Sequence, residues 1–143
     1  MNSKIAQRYL DDGMAVMSKP QLVVRLYERL LQDLTKAGEA MVDGVVEGAH
    51  RALIHAQDIV LELNLALDTD AWQGAQGLRS VYEHVNAQLI EANIDKNPAT
   101  VEHCIALIEP LYEAWRDAAR STQAGRAGPA AVPSGASKVG VAT

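Results

Sequence analysis

The amino-acid sequence predicts an all-α fold: an antiparallel four-helix bundle with a short N-terminal arm and a disordered C-terminal tail. Three observations carry that expectation. Apolar residues recur at spacings of three or four in four separate segments, which puts them on one face of a helix. No segment alternates apolar and polar residues for long enough to make a strand. The chain also has no Phe and only 4% aromatic residues, so its 48% hydrophobic content is mostly Leu, Val, Ile and Ala, which suit close helix–helix contact. A length of 143 residues fits one domain.

Residues 1–17 read as an arm, in which Ile5 and Tyr9 stand one helical turn apart ahead of Gly13 and the apolar run Met14–Met17. Ser18 is expected to cap the first helix, with Gln21 as capping-box partner and Pro20 in the first turn, where its missing N–H does no harm. Leu22, Leu26, Leu30 and Leu34 then recur every four residues, flanked by Val23, Tyr27 and Leu31. The stripe weakens through Gly38, Gly44 and Gly48, where a helix end and a turn are expected. A second helix runs from about His50 to Leu67 on Leu53, Ala56, Val60, Leu63 and Leu67, and Asp68-Thr69-Asp70 stops it. The third, about Ala71 to Ala92, carries Ala71, Ala75, Leu78, Tyr82, Val85, Leu89 and Ala92. Asn97-Pro98 reads as cap and first residue of a fourth helix, with Val101, Cys104, Ile108, Leu111, Trp115 and Ala118 on its stripe. Pro110 lies inside that pattern and is expected to remove one backbone hydrogen bond and kink the helix. The tail, Thr122 to Thr143, holds four of the ten Gly and two of the five Pro and no acid, a composition that builds no core. The division is therefore arm 1–17, bundle 18–121 and tail 122–143.

The net charge is −5, and without the tail's Arg126 and Lys138 the rest carries −7. Nucleic-acid binders concentrate positive charge to neutralise phosphates, so no nucleic-acid partner is expected. No run approaches the apolar length of a membrane span, and MNSKIAQRYLDD lacks the apolar stretch of a signal peptide. A single cysteine, Cys104, fits a reducing compartment. The expected location is cytoplasmic, with no membrane insertion.

Bundles of this size often house metals, yet neither metal nor cofactor is expected here. A di-iron site needs two inward Glu-x-x-His pairs and two further Glu, whereas one pair is present, Glu47 and His50, in a Gly-rich region. His50 and His55 sit about 140° apart around a helix and cannot ligate one ion together. No haem attachment motif occurs, and no nucleophile–base spacing is recognisable. Cys104 lies on the core stripe and reads as a buried thiol. No enzyme is expected. A rival reading is a His-phosphotransfer bundle using His55 or His84, but Asp58 stands one turn from His55 and no Lys neighbours His84.

The segment His55–Asp68, HAQDIVLELNLALD, is similar to the A-Q-x-I-I-x-x-L-x-x-x-L-D motif of the FliS family of flagellin export chaperones. Leu78–Tyr82, continued through Leu89 and Glu91-Ala92-Asn93, resembles L-x-x-L-Y-x-Y-x-x-x-x-L-x-x-A-N, and Leu111–Trp115 resembles L-x-x-A-W. At the front, Val16-Met17-Ser18 and Pro20–Tyr27 resemble V-M-S-A-S-P-x-x-L-I-x-M-L-Y/F. The four blocks cover residues 5–119 in family order. The pattern departs at Lys19-Pro20, where one or two residues are missing, at Tyr27-Glu28-Arg29 in place of Y-D-G, and at Val85 or nearby, where the aromatic after Tyr82 is absent.

The resemblance implies a chaperone that binds the disordered C-terminal segment of flagellin in apolar grooves and prevents premature polymerisation. It also implies delivery to the flagellar type III export gate, with a flagellin-binding regulator as a further partner. The residues themselves point the same way, because Val23, Tyr27, Leu31, Val60, Leu61, Leu65, Val81, Leu107 and Tyr112 broaden the stripes beyond one seam. The expected flagellin-binding groove comprises Ile5, Tyr9, Leu22, Leu26, Tyr27, Gln57, Val60, Leu61, Leu78, Val81, Tyr82 and Trp115. With no Phe, its few large contacts would be Tyr27, Tyr82 and Tyr112. The arm is expected to cover a groove and yield to the client.

Overall fold

A computed structural model describes residues 19–67 and 74–123, and the fold within them is a four-helix bundle. The helices are α1 (Lys19–Val42), α2 (Val46–Ala66), α3 (Ala75–Asp95) and α4 (Pro98–Gln123), with no strand among the described residues. They pack as a closed ring: α1 against α2 and α4, and α3 against α2 and α4. The capping by Ser18, the apolar run before it and the stop at Asp68-Thr69-Asp70 lie outside the described residues, as do Ile5, Tyr9 and Ala71.

The predicted stripes form the core. Leu26, Leu30 and Leu34 of α1 meet Leu53, Ala56, Val60 and Leu63 of α2, Leu78, Val85, Leu89 and Ala92 of α3, and Val101, Cys104 and Ile108 of α4. Leu22, Leu67, Leu111, Trp115 and Ala118, at the ends of their stripes, are half-buried. Ile59, off the predicted stripe, is also fully buried. Two helix neighbours flank α2, so its buried sector is wider than one seam.

The boundaries differ from expectation where local chemistry is tighter than the periodicity suggests. Helix α1 runs through Gly38 to Val42, and one glycine, Gly44, makes the turn at φ 76°. There the Gly44 N–H donates to the Met41 carbonyl at 3.2 Å and the Val45 N–H to the Ala40 carbonyl at 2.8 Å. That paired closure satisfies the last carbonyls of α1 and needs a left-handed residue at its centre. The chain reverses so quickly that α2 begins at Val46 rather than at His50. Gly48 lies within α2, where an added Cβ would stand 3.2 Å from Val45 Cγ1 and 3.6 Å from Ala40 Cβ. It is a close-approach glycine, not a turn.

Helix α3 extends to Asp95, three residues past the predicted end, and Lys96 closes it in the left-handed region at φ 52°. The Lys96 ammonium bonds both the backbone carbonyl and Oδ1 of Asn93, placing positive charge at the negative end of the helix dipole. Asn97 caps α4 as expected, its Oδ1 accepting from the Ala99 N–H at 3.0 Å. Pro110 does not end α4, which spans it as one 26-residue helix with the ring exposed. The helix passes Thr122 and reaches Gln123, two residues into the segment that composition assigns to the tail. The first breaker is Gly125, which leaves Ser121-Thr122-Gln123 free to continue the helix.

Candidate functional site

The two tyrosines expected to face a client instead face each other. Tyr27 of α1 and Tyr82 of α3 are buried, and their hydroxyls share a hydrogen bond at 2.6 Å. Trp115 of α4 lies beside the Tyr27 hydroxyl. Burial pushes both phenols well above the usual tyrosine range, so they stay neutral. The arrangement satisfies polar atoms that the apolar interior would otherwise strand.

Of the other expected groove residues, Leu26, Val60 and Leu78 are interior with the tyrosines. Leu22, Gln57, Val81 and Trp115 are half-buried, and Leu61 is exposed. The conformation thus splits the expected set into a wall of the core and a rim open to a partner. Tyr112 belongs to the rim: it is half-buried, donates to Glu28 Oε2 at 3.1 Å and lies under the Arg116 guanidinium at 5.1 Å.

The structure adds three residues that the sequence reading missed, Ile54 on α2 and Ile90 and Ile94 on α3, beside Leu61 and Leu65 of α2, which it named; all five are large apolar side chains 41–76% exposed. On α2 the spacing of seven and four brings its three residues within about 40° of one another around the axis. On α3, Ile90 and Ile94 stand one turn apart. The Asn93 side-chain amide donates to His50 Nδ1 at 3.0 Å, which fixes the register between the helices. Position 54 then lies opposite 89–90, and the apolar residues flank one α2–α3 cleft. The signal was in the sequence as doublets. Leu53-Ile54, Val60-Leu61 and Leu89-Ile90 each set one residue inward and the next about 100° away.

The titratable side chains build no catalytic set. His55 pairs through Nδ1 with Asp33, a carboxylate buried between α1 and α2, rather than with Asp58. Arg29 also approaches Asp33, at 3.8 Å. Glu47 pairs with exposed Arg51 at 3.5 Å while His50 turns to Asn93, so that Glu-x-x-His pair does not converge. His84 meets His103 across α3 and α4. Burial pushes the Cys104 thiol up to about 11, leaving it protonated and unreactive near neutral pH. Among the described residues no three His, Cys, Asp or Glu side chains gather as metal ligands, and no helix is long and apolar enough to cross a membrane.

Comparison with known proteins agrees with this architecture. The family model described as "Flagellar protein FliS" matches residues 1–122. The flagellar secretion chaperone FliS of Bacillus subtilis (strain 168) is 24% identical over 120 residues, which span 84% of this chain and 90% of that protein. Its counterpart in Escherichia coli (strain K12) is 30% identical over 121 residues, 80% of this chain and 89% of that one. A solved structure described as a crystal structure of a flagellar chaperone from bacteria superposes with a TM-score of 0.67. It covers 82% of this chain and 97% of its own, at 18% identity, and so speaks to the fold.

Proposed function

Because the chain belongs to the FliS family of flagellar secretion chaperones, a family of non-enzymes, we propose that it binds flagellin. In this reading it holds the disordered C-terminal segment of flagellin in the cytoplasm, prevents premature polymerisation and delivers the client to the flagellar type III export gate. A flagellin-binding regulator is a further partner. The observation that carries the reading is the exposed apolar cleft of α2 and α3, on a bundle whose core is already complete without it.

Ordering a flexible client costs about 2–5 kcal/mol or more, so the contact must be long and mostly apolar. The rim supplies such a surface. Ile54, Leu61, Leu65, Ile90 and Ile94 offer apolar knobs, half-buried Gln57 continues toward the core, and half-buried Val81 belongs to the other flank of α3. Half-buried Leu22 of α1 and Trp115 of α4 are assigned to the groove as further apolar contacts. Leu26, Tyr27, Val60, Leu78 and Tyr82 support these positions from beneath. The arm's Ile5 and Tyr9 are assigned to cover the groove and yield to flagellin. The division into arm 1–17, bundle 18–121 and tail 122–143 belongs to the same reading, with the bundle as the binding unit.

The test is calorimetry of the full chain with a synthetic flagellin C-terminal peptide. Saturable one-to-one binding, with helical circular dichroism gained on mixing, is expected; absence of binding at high micromolar concentration would refute the reading. Ile5→Ala with Tyr9→Ala is expected to change the affinity while leaving the unfolding midpoint of the bundle in place.

A further inference from the structure

We propose that His84 of α3 and His103 of α4 form a two-imidazole site for a zinc ion, clasping the two helices together. The two Nε2 atoms lie 3.4 Å apart, with ring centroids at 5.6 Å and ring planes at 86°. Tetrahedral zinc holds imidazole nitrogens at about 2.0–2.1 Å, which places two of them about 3.4 Å from each other. The nitrogen separation is therefore that of a zinc edge. The centroid separation exceeds it by about 2.2 Å, close to twice the radius of a five-membered ring, so the two Nε2 atoms are the facing atoms, and a modest tilt of each ring brings both lone pairs onto one ion.

As a direct N–H···N hydrogen bond the contact is long and weak at 3.4 Å, so little is lost when an ion takes its place. With each ring proton on Nδ1, both Nε2 lone pairs are available to a metal. Both rings are exposed, so an ion reaches them without opening the bundle. Their backbones are held from beneath by fully buried neighbours, Val85 next to His84 and Cys104 next to His103. The other described histidines are engaged elsewhere, His50 with Asn93 and His55 with Asp33.

No third protein ligand joins the pair among the described residues. The remaining coordination positions thus belong to water or to a donor from another molecule. His84 lies about 120° around α3 from Ile90, so the site and the apolar cleft occupy different sides of that helix. Metal and client can be bound together.

The experiment uses untagged full-length protein titrated with zinc chloride by calorimetry, alongside nitrogen-15 spectra of the imidazoles. One ion per chain is expected, with the Nε2 resonances of both His84 and His103 shifting. His84→Gln and His103→Gln should each weaken binding at least about tenfold, since even the outer partners of metal ligands carry that much. His50→Gln should leave binding unchanged. The proposal is overturned by the absence of saturable zinc binding, by a shift at only one of the two rings, or by full affinity in either single variant.

Discussion

Leu53 and Ile54 are adjacent on α2 and nearly equal in size and hydrophobicity, yet the first is 0% exposed and the second 41%. The same division runs between the whole core, from Leu30 and Leu34 to Leu89 and Ile108, and the cleft formed by Ile54, Leu61, Leu65, Ile90 and Ile94. One region is enclosed by four helices; the other is built of the same residue types on two of those helices and left open. Apolar content does not separate a surface that stabilises the fold from one left open to solvent. A rotation of about 100°, the step of a single residue, does.

Breaking the core should have the largest effect. Leu34→Ala or Leu53→Ala removes a fully buried side chain and is expected to lower stability by about 2–5 kcal/mol in urea unfolding. A loss below about 1 kcal/mol would mean that the core yields as easily as a surface.

Cys104 probes the same enclosure chemically. Its native alkylation near pH 8 should run about a hundredfold or more slower than in urea, because burial keeps the thiol protonated. The value rises from 9.0 to about 11 on folding, so this group's contribution to stability is complete below pH 9 and is lost as pH climbs toward 11. Alkaline unfolding titrations should show that loss, and Cys104→Ala should flatten it.

The tyrosine pair tests whether the interior demands polar completeness. Tyr27→Phe leaves the buried Tyr82 hydroxyl without that partner and is expected to cost about 1–3 kcal/mol. Tyr27→Phe combined with Tyr82→Phe should cost less than the two single changes together, because one hydrogen bond is counted twice. Strict additivity would show that the hydroxyls act separately.

Changes in the cleft should reverse the pattern. Leu61→Glu or Ile54→Glu is expected to shift stability by no more than about 0.5 kcal/mol. Each should weaken flagellin-peptide binding by about 1–2 kcal/mol in calorimetry. Equal losses of stability and binding would erase the distinction between the two regions. The smallest effect is expected at Arg51→Ala, which removes an exposed i,i+4 pair with Glu47 and should change stability by less than about 0.5 kcal/mol.

The four helices were legible in the sequence because each buries a stripe whose period is the period of the helix itself. The cap at Asn97 was legible because a short polar side chain before proline has one good use there. The α1–α2 turn was misplaced because three glycines look alike in sequence, while only Gly44 takes a positive φ and Gly48 serves a close approach. The cleft is half legible: Leu61 and Leu65 broaden their stripe in the sequence, whereas Ile54, Ile90 and Ile94 each stand beside or apart from a core position and leave the main period undisturbed. Tyr27 and Tyr82 read as client contacts because nothing local shows that residues 55 apart in sequence bring their hydroxyls together. Pairings such as Asp33 with His55 share that origin; they are set by tertiary approach and leave no local mark.

The ring closure of α1 on α4 has a consequence for synthesis. Glu28 and Tyr112 touch across 84 residues, and the inner face of α1 is completed only when the last helix arrives. A ribosome-bound chain that has not yet emitted Pro98 carries an α1 with one flank open, whatever its hairpin with α2 has achieved. Such a nascent chain can pair its first helices but cannot finish its interior until α4 has emerged. A protein proposed to guard an unfinished partner is itself unfinished until its last helix leaves the ribosome.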